Sequence, residues 1–455
     1  MLDKTAQSVN NEDTYFENFT DQTWRDIPMN SQWKAYQDSE AFAARVATLY
    51  GAGEKELCKQ KARYGKLVER FEKRFGEEHG ALCFFSAPGR TEIGGNHTDH
   101  NHGRCLAGAV NLDTIACVEK TDDGVIVVDS EGFPPITVSL DNLEIREKDF
   151  GTTLALIRGT AGVMQSQGYK VGGFRATISS SVLRGSGLSS SAAFEILIAA
   201  ILDGLYNGWV IDFKTRAVIA QRVENVYFGK PCGLLDQMAA SAGGMVALDF
   251  ETADAKVDAV ACDFAAKGYA LCVVNTGGDH GDLTDDYAAI PAEMKAVAAQ
   301  FGKKVLREVD PAEFEANIGR VRAAVGDRPV LRAMHFFDDN ARVVEQVAAV
   351  REGNLAKFFA DVTASGDSSW KLLQNVYARP NQEQMAMGIE LSRRFLKGDG
   401  AQRVHGGGFA GTIQAYVPMA RLDAYVELMN GVFGKGSCTP LMIRPEGAVM
   451  MPMQA

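Results

Sequence analysis

The sequence predicts an α+β fold of two lobes with a helical extension at its N-terminus. Three observations carry that expectation. Strand-like and helix-like segments are mixed without a regular βα alternation, which argues for layered α+β architecture. Polar loops rich in Gly, Ser, His and Asp break the first half at 86–103 and 184–190, each flanked by apolar runs. The remainder reads as long helices with few strands.

In chain order, residues 1–30 are polar and patternless. From Ser39 to Gly76 the pattern turns helical, with Phe42, Val46, Leu49, Leu57, Tyr64, Leu67, Val68, Phe71 and Phe75 recurring on a roughly three-to-four period. Strands are expected at Leu82–Phe85, Thr114–Glu119, Gly124–Asp129 and Ile136–Leu140. A helix over 152–168 and a strand at Gly173–Ser179 follow. A long apolar helix starts near Ser191 and a second ends near Tyr227. Gly229-Lys230-Pro231 then forces a turn before a helix near Leu234. Strands at Gly244–Asp249 and Tyr269–Asn275 close this half. Helices are expected at 293–301, 311–317, 328–349, 354–365 and 383–397, and strands at Gly411–Val417 and Leu441–Arg444. The expected units are 1–66, 67–270 and 271–455.

With 455 residues, 46% of them hydrophobic, the chain can bury an ample core. A net charge of −11 opposes extended contact with nucleic-acid phosphates or an anionic membrane. Eight scattered cysteines without a CxxC pair, and no apolar leader, point to a reducing, cytoplasmic setting. The most apolar helix candidate, Ser191–Tyr206, is too short to span a bilayer.

Three constellations carry chemistry. The first, Arg90 to Gly103, holds one Arg, one Asp and three His, more polar convergence than a connection needs. It suits a loop that reads hydroxyls of a polar ligand; a capped surface turn and a zinc site from the histidines and Asp99 are the alternatives. The second, Arg184 to Phe194, is a Gly/Ser loop opening a helix, where amides and the positive helix end can cradle a phosphate. It is no Walker loop, because the Gly-Lys-Ser/Thr ending is missing. Helix N-capping by serine is its plain reading. The third joins Glu224 to Asp236 across a Pro/Gly turn; each carboxylate alone reads as an ordinary solvated helix residue, and twelve residues apart across that turn the two could instead converge on one pocket.

Together these motifs resemble those of galactokinases in the GHMP small-molecule kinase superfamily. Their sugar motif usually runs Gly-Arg-Val-Asn-Leu-Ile-Gly-Glu-His-Thr-Asp-Tyr-Asn; Arg90, Gly95, His97, Thr98, Asp99 and Asn101 match, while Asn96 and His100 depart. Gly187 to Ala192 reproduces the phosphate-loop string Gly-Leu-Ser-Ser-Ser-Ala, and Glu224, Pro231-Cys232-Gly233 and Asp236-Gln237 match the third element. Arg403–Thr412 resembles the glycine-rich turn that supports the phosphate loop.

The resemblance spans about Leu67 to Met450. It implies a first lobe like ribosomal S5 domain 2, a ferredoxin-like second lobe, and transfer of the ATP γ-phosphoryl to an anomeric sugar hydroxyl. By the same resemblance Asp236 and Arg90 are catalytic, and Asn96, His97, Asp99 and Tyr287 bind sugar. Gly185, Ser186, Gly187, Leu188, Ser189, Ser190, Ser191 and Ala192 bind ATP, with Gly407 and Gly408 beneath. Ser191 and Glu224 hold Mg²⁺. Galactose is the implied substrate. A kinase for a C6-modified galactose such as galacturonate, a non-catalytic ATP/sugar sensor and a metallohydrolase are the alternatives.

Overall fold

The computed structural model describes residues 29–77, 79–182, 187–230, 232–252, 254–278 and 283–453. The expectations for residues 1–28, Gly185 and Ser186 lie outside them.

Strands β1 (Leu82–Gly94), β2 (Arg104–Thr121), β3 (Val125–Ser130), β4 (Ile136–Ser139), β5 (Gly173–Ser180), β6 (Met245–Asp249) and β7 (Lys256–Ala259) build a sheet with the last strand of the chain, β12 (Val449–Pro452). Its order is β12-β1-β2-β5-β3-β4, with β6 pairing both β2 and β7. A second, antiparallel sheet orders β11 (Cys438–Leu441), β8 (Tyr269–Gly277), β10 (Gly411–Pro418) and β9 (Ala401–Val404). Helices layer on both sheets, so the α+β expectation holds.

The first sheet is covered on both faces, and the period-2 alternation of side chains sorts its residues between them. Cys83, Phe85, Ala116 and Val118 face a core built with helices Thr153–Ser166, Ser190–Tyr206 and Phe213–Val226. Leu82, Phe84, Ile115 and Cys117 face the other way. There they meet Trp33, Phe42, Leu49, Tyr64, Leu67 and Phe71 from helices Met29–Gln37, Glu40–Tyr50 and Glu54–Phe75. Each fully buried aromatic or leucine of this layer contributes roughly 1.5–3 kcal/mol of hydrophobic stabilisation.

The structure therefore groups the chain differently from the three expected units. The N-terminal helices form one wall of the first sheet, β12 returns to pair with β1, and 270/271 falls inside β8. Two further corrections concern extent. β1 runs on through 86–94, which the loop expectation left unpaired, with register shifts between Pro88 and Arg90 and between Glu92 and Gly94. Three strands (β7, β9 and β12) are additional, and the strand expected at Leu441–Arg444 lies earlier, at Cys438–Leu441.

One buried ion cluster pins these layers. Asp113 on β2 is fully buried and accepts from Arg63 and Tyr50 of the N-terminal helices, Ser86 of β1, and Arg444 near the C-terminus. Burial alone would raise its carboxyl; Arg63, Arg444 and the two hydroxyls outweigh that and hold it below the usual range. Asp113→Asn should cost about 3–5 kcal/mol in chemical unfolding, because Arg444 is then left buried without a counter-charge. The sign of the pH effect follows from the lowered folded-state pKa. The contribution is present above the unfolded carboxylate value of about 4 and is lost as pH falls through the folded-state value. A variant within about 0.5 kcal/mol of the native protein at neutral pH, the range of an ordinary surface change, would contradict this account.

Candidate active site

The helix Ser190–Tyr206 begins at a residue in an unusual conformation: Ser189 has φ +60, and Gly187 two residues earlier has φ +67. Left-handed backbone is uncommon for serine. The Ser189 hydroxyl donates to Asp236. Leu188 is a core side chain, packed with Ile93, Val182 and Ala193, and its carbonyl accepts the Arg90 amide at 3.0 Å. Ala192 is likewise fully buried. Among the described residues of this loop, backbone groups and the half-buried Ser189, Ser190 and Ser191 remain to meet a ligand.

Asp236 sits in the first turn of helix Leu235–Ala242. Arg90 reaches it from β1, with Nε and Nη2 each 2.7 Å from Oδ1, and its third nitrogen, Nη1, donates to the Gly187 carbonyl. The Asp236 side chain keeps 34% of its surface exposed, against 7% for Arg90. Burial pushes the Asp236 carboxyl up, but the Arg90 charge and the Ser189 hydroxyl bring it below the usual range. The result is an ionised carboxylate fixed from two sides and open on a third.

Asp99 reaches the same place from the loop between β1 and β2. Its Oδ1 accepts the His100 amide at 2.9 Å, and a Cβ built on Gly233 would lie 1.8 Å from its Oδ2. Only glycine at 233 leaves room for that carboxylate three residues before Asp236.

Glu224 ends up in a second acidic pocket, where helices Ser190–Tyr206, Phe213–Val226 and Leu235–Ala242 meet. Its Oε2 accepts Gln237 Nε2 at 2.8 Å, and Lys230 Nζ lies 3.3 Å from Oε1. Glu195, fully buried beside it, shares the Gln237 amide at 3.3 Å, and its Oε1 has no hydrogen-bond partner. Burial first, and then the Glu224 charge, drives the Glu195 carboxyl well up. Two carboxylates with one unsatisfied oxygen suit a pocket that takes a hard cation.

Three expectations change. Asn96 does not open onto a ligand: it is fully buried and its amide is used up by protein. Its Nδ2 donates to Glu92 Oε1 (2.7 Å) and the Gly406 carbonyl (2.9 Å), while Oδ1 accepts Asn375 (2.8 Å) and Ser369 (3.1 Å). Tyr287 donates to the Gly408 carbonyl at 2.8 Å and packs edge-on against Phe409, bracing the glycine turn. Within that turn Gly406, rather than Gly407 or Gly408, packs on the described residues of the phosphate loop. A Cβ there would be 3.3 Å from the Gly187 carbonyl oxygen, whereas Gly407 packs on Tyr287 and Gly408 on Asn375.

His97 donates from Nε2 to the Gly407 carbonyl at 2.9 Å, and burial lowers its pKa, so the ring is neutral. His102 is exposed, and among the described residues no three His, Cys, Asp or Glu side chains are grouped to hold a metal. Sequence reasoning passed over Glu92, Glu195 and His405. His405 is nearly fully buried beneath Gly187, its ring nitrogens 3.1 Å from Thr91 Oγ1 and 3.0 Å from Thr412 Oγ1. Only Glu195 carried a local signal, as a single charged residue inside an apolar run; Glu92 and His405 sit in polar, glycine-rich stretches that do not single them out.

Among the described residues no helix is long and apolar enough to cross a membrane. Comparison with known proteins gives a consistent result. A galactokinase galactose-binding signature matches residues 69–120, and a GHMP kinase N-terminal domain matches 155–244. The chain is 30% identical over 338 residues to a galactokinase of Pyrococcus furiosus, covering 73% of this chain and 88% of that one. It is 29% identical over 378 residues to a galactokinase of Streptomyces coelicolor, covering 81% and 92%. The crystal structure of Lactococcus lactis galactokinase complexed with galactose superposes with a TM-score of 0.74 at 25% identity, over 85% of this chain and 99% of that one. Methanococcus jannaschii mevalonate kinase shares the fold, with a TM-score of 0.57 at 16% identity over 79% and 98%. With Arg90 and Asp99 inside the matched sugar signature and Glu224 and Asp236 inside the matched kinase domain, this chain belongs to the galactokinase family.

Proposed function

We propose that this protein is an ATP-dependent galactose 1-kinase whose acceptor hydroxyl is handled by Asp236. The observation that carries the reading is the Asp236 carboxylate, held by Arg90 and Ser189 at the N-terminus of helix Ser190–Tyr206 with one side open. Phosphoryl transfer asks a protein mainly for alignment and charge stabilisation. The new bond forms between the anomeric oxygen and the γ-phosphorus as the bond from that phosphorus to the bridging oxygen breaks, releasing ADP.

With its pKa held down, Asp236 first orients the hydroxyl and accepts the proton late, as bonding to phosphorus acidifies the sugar oxygen. Arg90 keeps that carboxylate in place and steadies the charge developing beside it. Asp99 accepts hydrogen bonds from ring hydroxyls, and the 187–191 amides with the helix dipole receive the phosphates.

The Ser191 hydroxyl and the Glu224 carboxylate are hard oxygen donors, and the acidic surplus with Glu195 supports a cation there. They would hold Mg²⁺, which when bound neutralises phosphate charge. Two ligands suffice for an ion that keeps several waters and the substrate oxygens. Coupled ADP release with galactose, and a phosphorus NMR spectrum of the product, test the activity. ATP binding without turnover of any hexose would replace the enzyme with a sensor.

Asp236→Asn should lower kcat roughly a hundred- to ten-thousandfold with little change in ATP affinity. Glu224→Gln should instead raise the Mg²⁺ concentration needed for half-maximal rate, so identical phenotypes would refute this division of roles. Gly233→Ala should displace the Asp99 carboxylate, raising KM for galactose at least tenfold while KM for ATP stays within about twofold. Equal effects on both substrates would mean that Asp99 does not meet the sugar.

A further inference from the structure

The sugar loop and the phosphate loop never touch through Asp236 alone; they share the glycine turn 406–408 as a common wall. His97 donates to the Gly407 carbonyl, and the Asn96 amide donates to that of Gly406. Gly406 has φ +68 and packs on the Gly187 carbonyl, the same oxygen that receives Arg90. A short covalent and hydrogen-bonded path thus runs from the sugar loop, through the turn, to the phosphate loop.

Glu92 controls the first link of that path. Its Oε1 accepts Asn96 Nδ2 at 2.7 Å and Arg403 Nη2 at 3.2 Å, and its main-chain carbonyl accepts Gln414 at 3.1 Å. A guanidinium only donates and a peptide carbonyl only accepts, so the Glu92 oxygen that takes Arg403 and the Gly406 carbonyl together dictate which end of the Asn96 amide faces them. The other end is then turned to the donors Ser369 and Asn375. The Asn96 main chain is held as well, its N–H by Asp339 at 3.0 Å and its carbonyl by His335 at 2.9 Å. Every hydrogen-bonding position of residue 96 is occupied, and its partners come from β1, helical segments of the second lobe and the residue Asn375 that follows them, and the turn.

We propose that Glu92 is a positioning residue which, through Asn96, couples the sugar loop to the phosphate loop, so that galactose and nucleotide tighten each other's binding. The coupling rests on the kinase reading above. A sugar bound against His97 and Asp99 fixes the turn, and the fixed turn presents Gly187 to the nucleotide; linkage makes the effect reciprocal. Glu92 touches neither substrate in this scheme.

The test is the galactose dissociation constant of the full-length protein by titration calorimetry, with and without a saturating non-hydrolysable ATP analogue. The native protein should bind galactose at least about fivefold tighter with the analogue present, within the range of ordinary site-to-site coupling. Glu92→Ala should bring that ratio close to one at a temperature where circular dichroism shows it folded. Glu92→Gln retains an acceptor oxygen and should preserve the ratio, a rescue that lost stability would not produce. Should Glu92→Ala fail to fold, Asn96→Ala cuts the same link while leaving Glu92 paired with Arg403, and should behave alike. A ratio of one in the native protein, or an unchanged ratio in the folded alanine variant, overturns the coupling. No galactose binding by the native protein would instead overturn the kinase reading beneath it.

Discussion

Arg90 is the constraint on which the catalytic geometry depends. Its guanidinium spends two nitrogens on Asp236 and the third on the Gly187 carbonyl, so one rigid planar group sets the spacing between the proposed base and the phosphate loop. The pair is charge-assisted and mostly shielded from water, which makes it stronger than an exposed ion pair and directional. Because Arg90 extends from β1, the precision of the site is inherited from a strand paired to β2 along its length. Ser189, in its left-handed conformation, closes the arrangement from the opposite side.

The same strand explains why two lobes can act as one active site. Beyond Arg90, β1 leaves the first core and is gripped from the second lobe: Arg403 holds the Ile93 carbonyl and Glu92, Gln414 holds Thr91 and Glu92, and Asp339 holds Asn96. These groups are buried, and a polar seam of this kind has a strict requirement, since one missing partner leaves a desolvated group unpaired. Burial first, and then the Arg403 and Arg90 charges against it, leaves Glu92 with a pKa raised to about 7. In the middle of β1, where Asp113 of β2 pairs with Pro88 and accepts from Ser86, that carboxylate does comparable work for the N-terminal helices and the returning C-terminus. The strand is therefore anchored by buried charge at its middle and at its C-terminal end.

Much of the site was legible because its chemistry is local. The Gly-Leu-Ser-Ser-Ser-Ala string opens a helix, and Asp236 follows Glu224 across a Pro/Gly turn. Arg90 and Asp99 lie in one short polar stretch. What stayed hidden depends on partners far away in sequence. Residues 86–94 look like a loop because Arg90, Thr91 and Glu92 are polar, yet they sit in a buried strand satisfied by Asp236, His405 and Arg403. Asn96 reads as a ligand group for the same reason: five of its partners lie more than 230 residues further on. Tyr287, expected to meet the sugar, donates its hydroxyl to the glycine turn, a partner more than a hundred residues away. The N-terminal helices had a clear helical period, but nothing local revealed that their aromatic face completes the first sheet.

The central claim is that Arg90 and Asp236 work as one unit, and a double-mutant cycle in kcat measures that most directly. Arg90→Met and Asp236→Asn should each cut turnover steeply, and the double variant should be scarcely slower than Asp236→Asn alone, because groups acting together cannot each be lost twice. Additive losses, with the double variant slower by the product of the two single effects, would show that the residues act independently and would contradict the account.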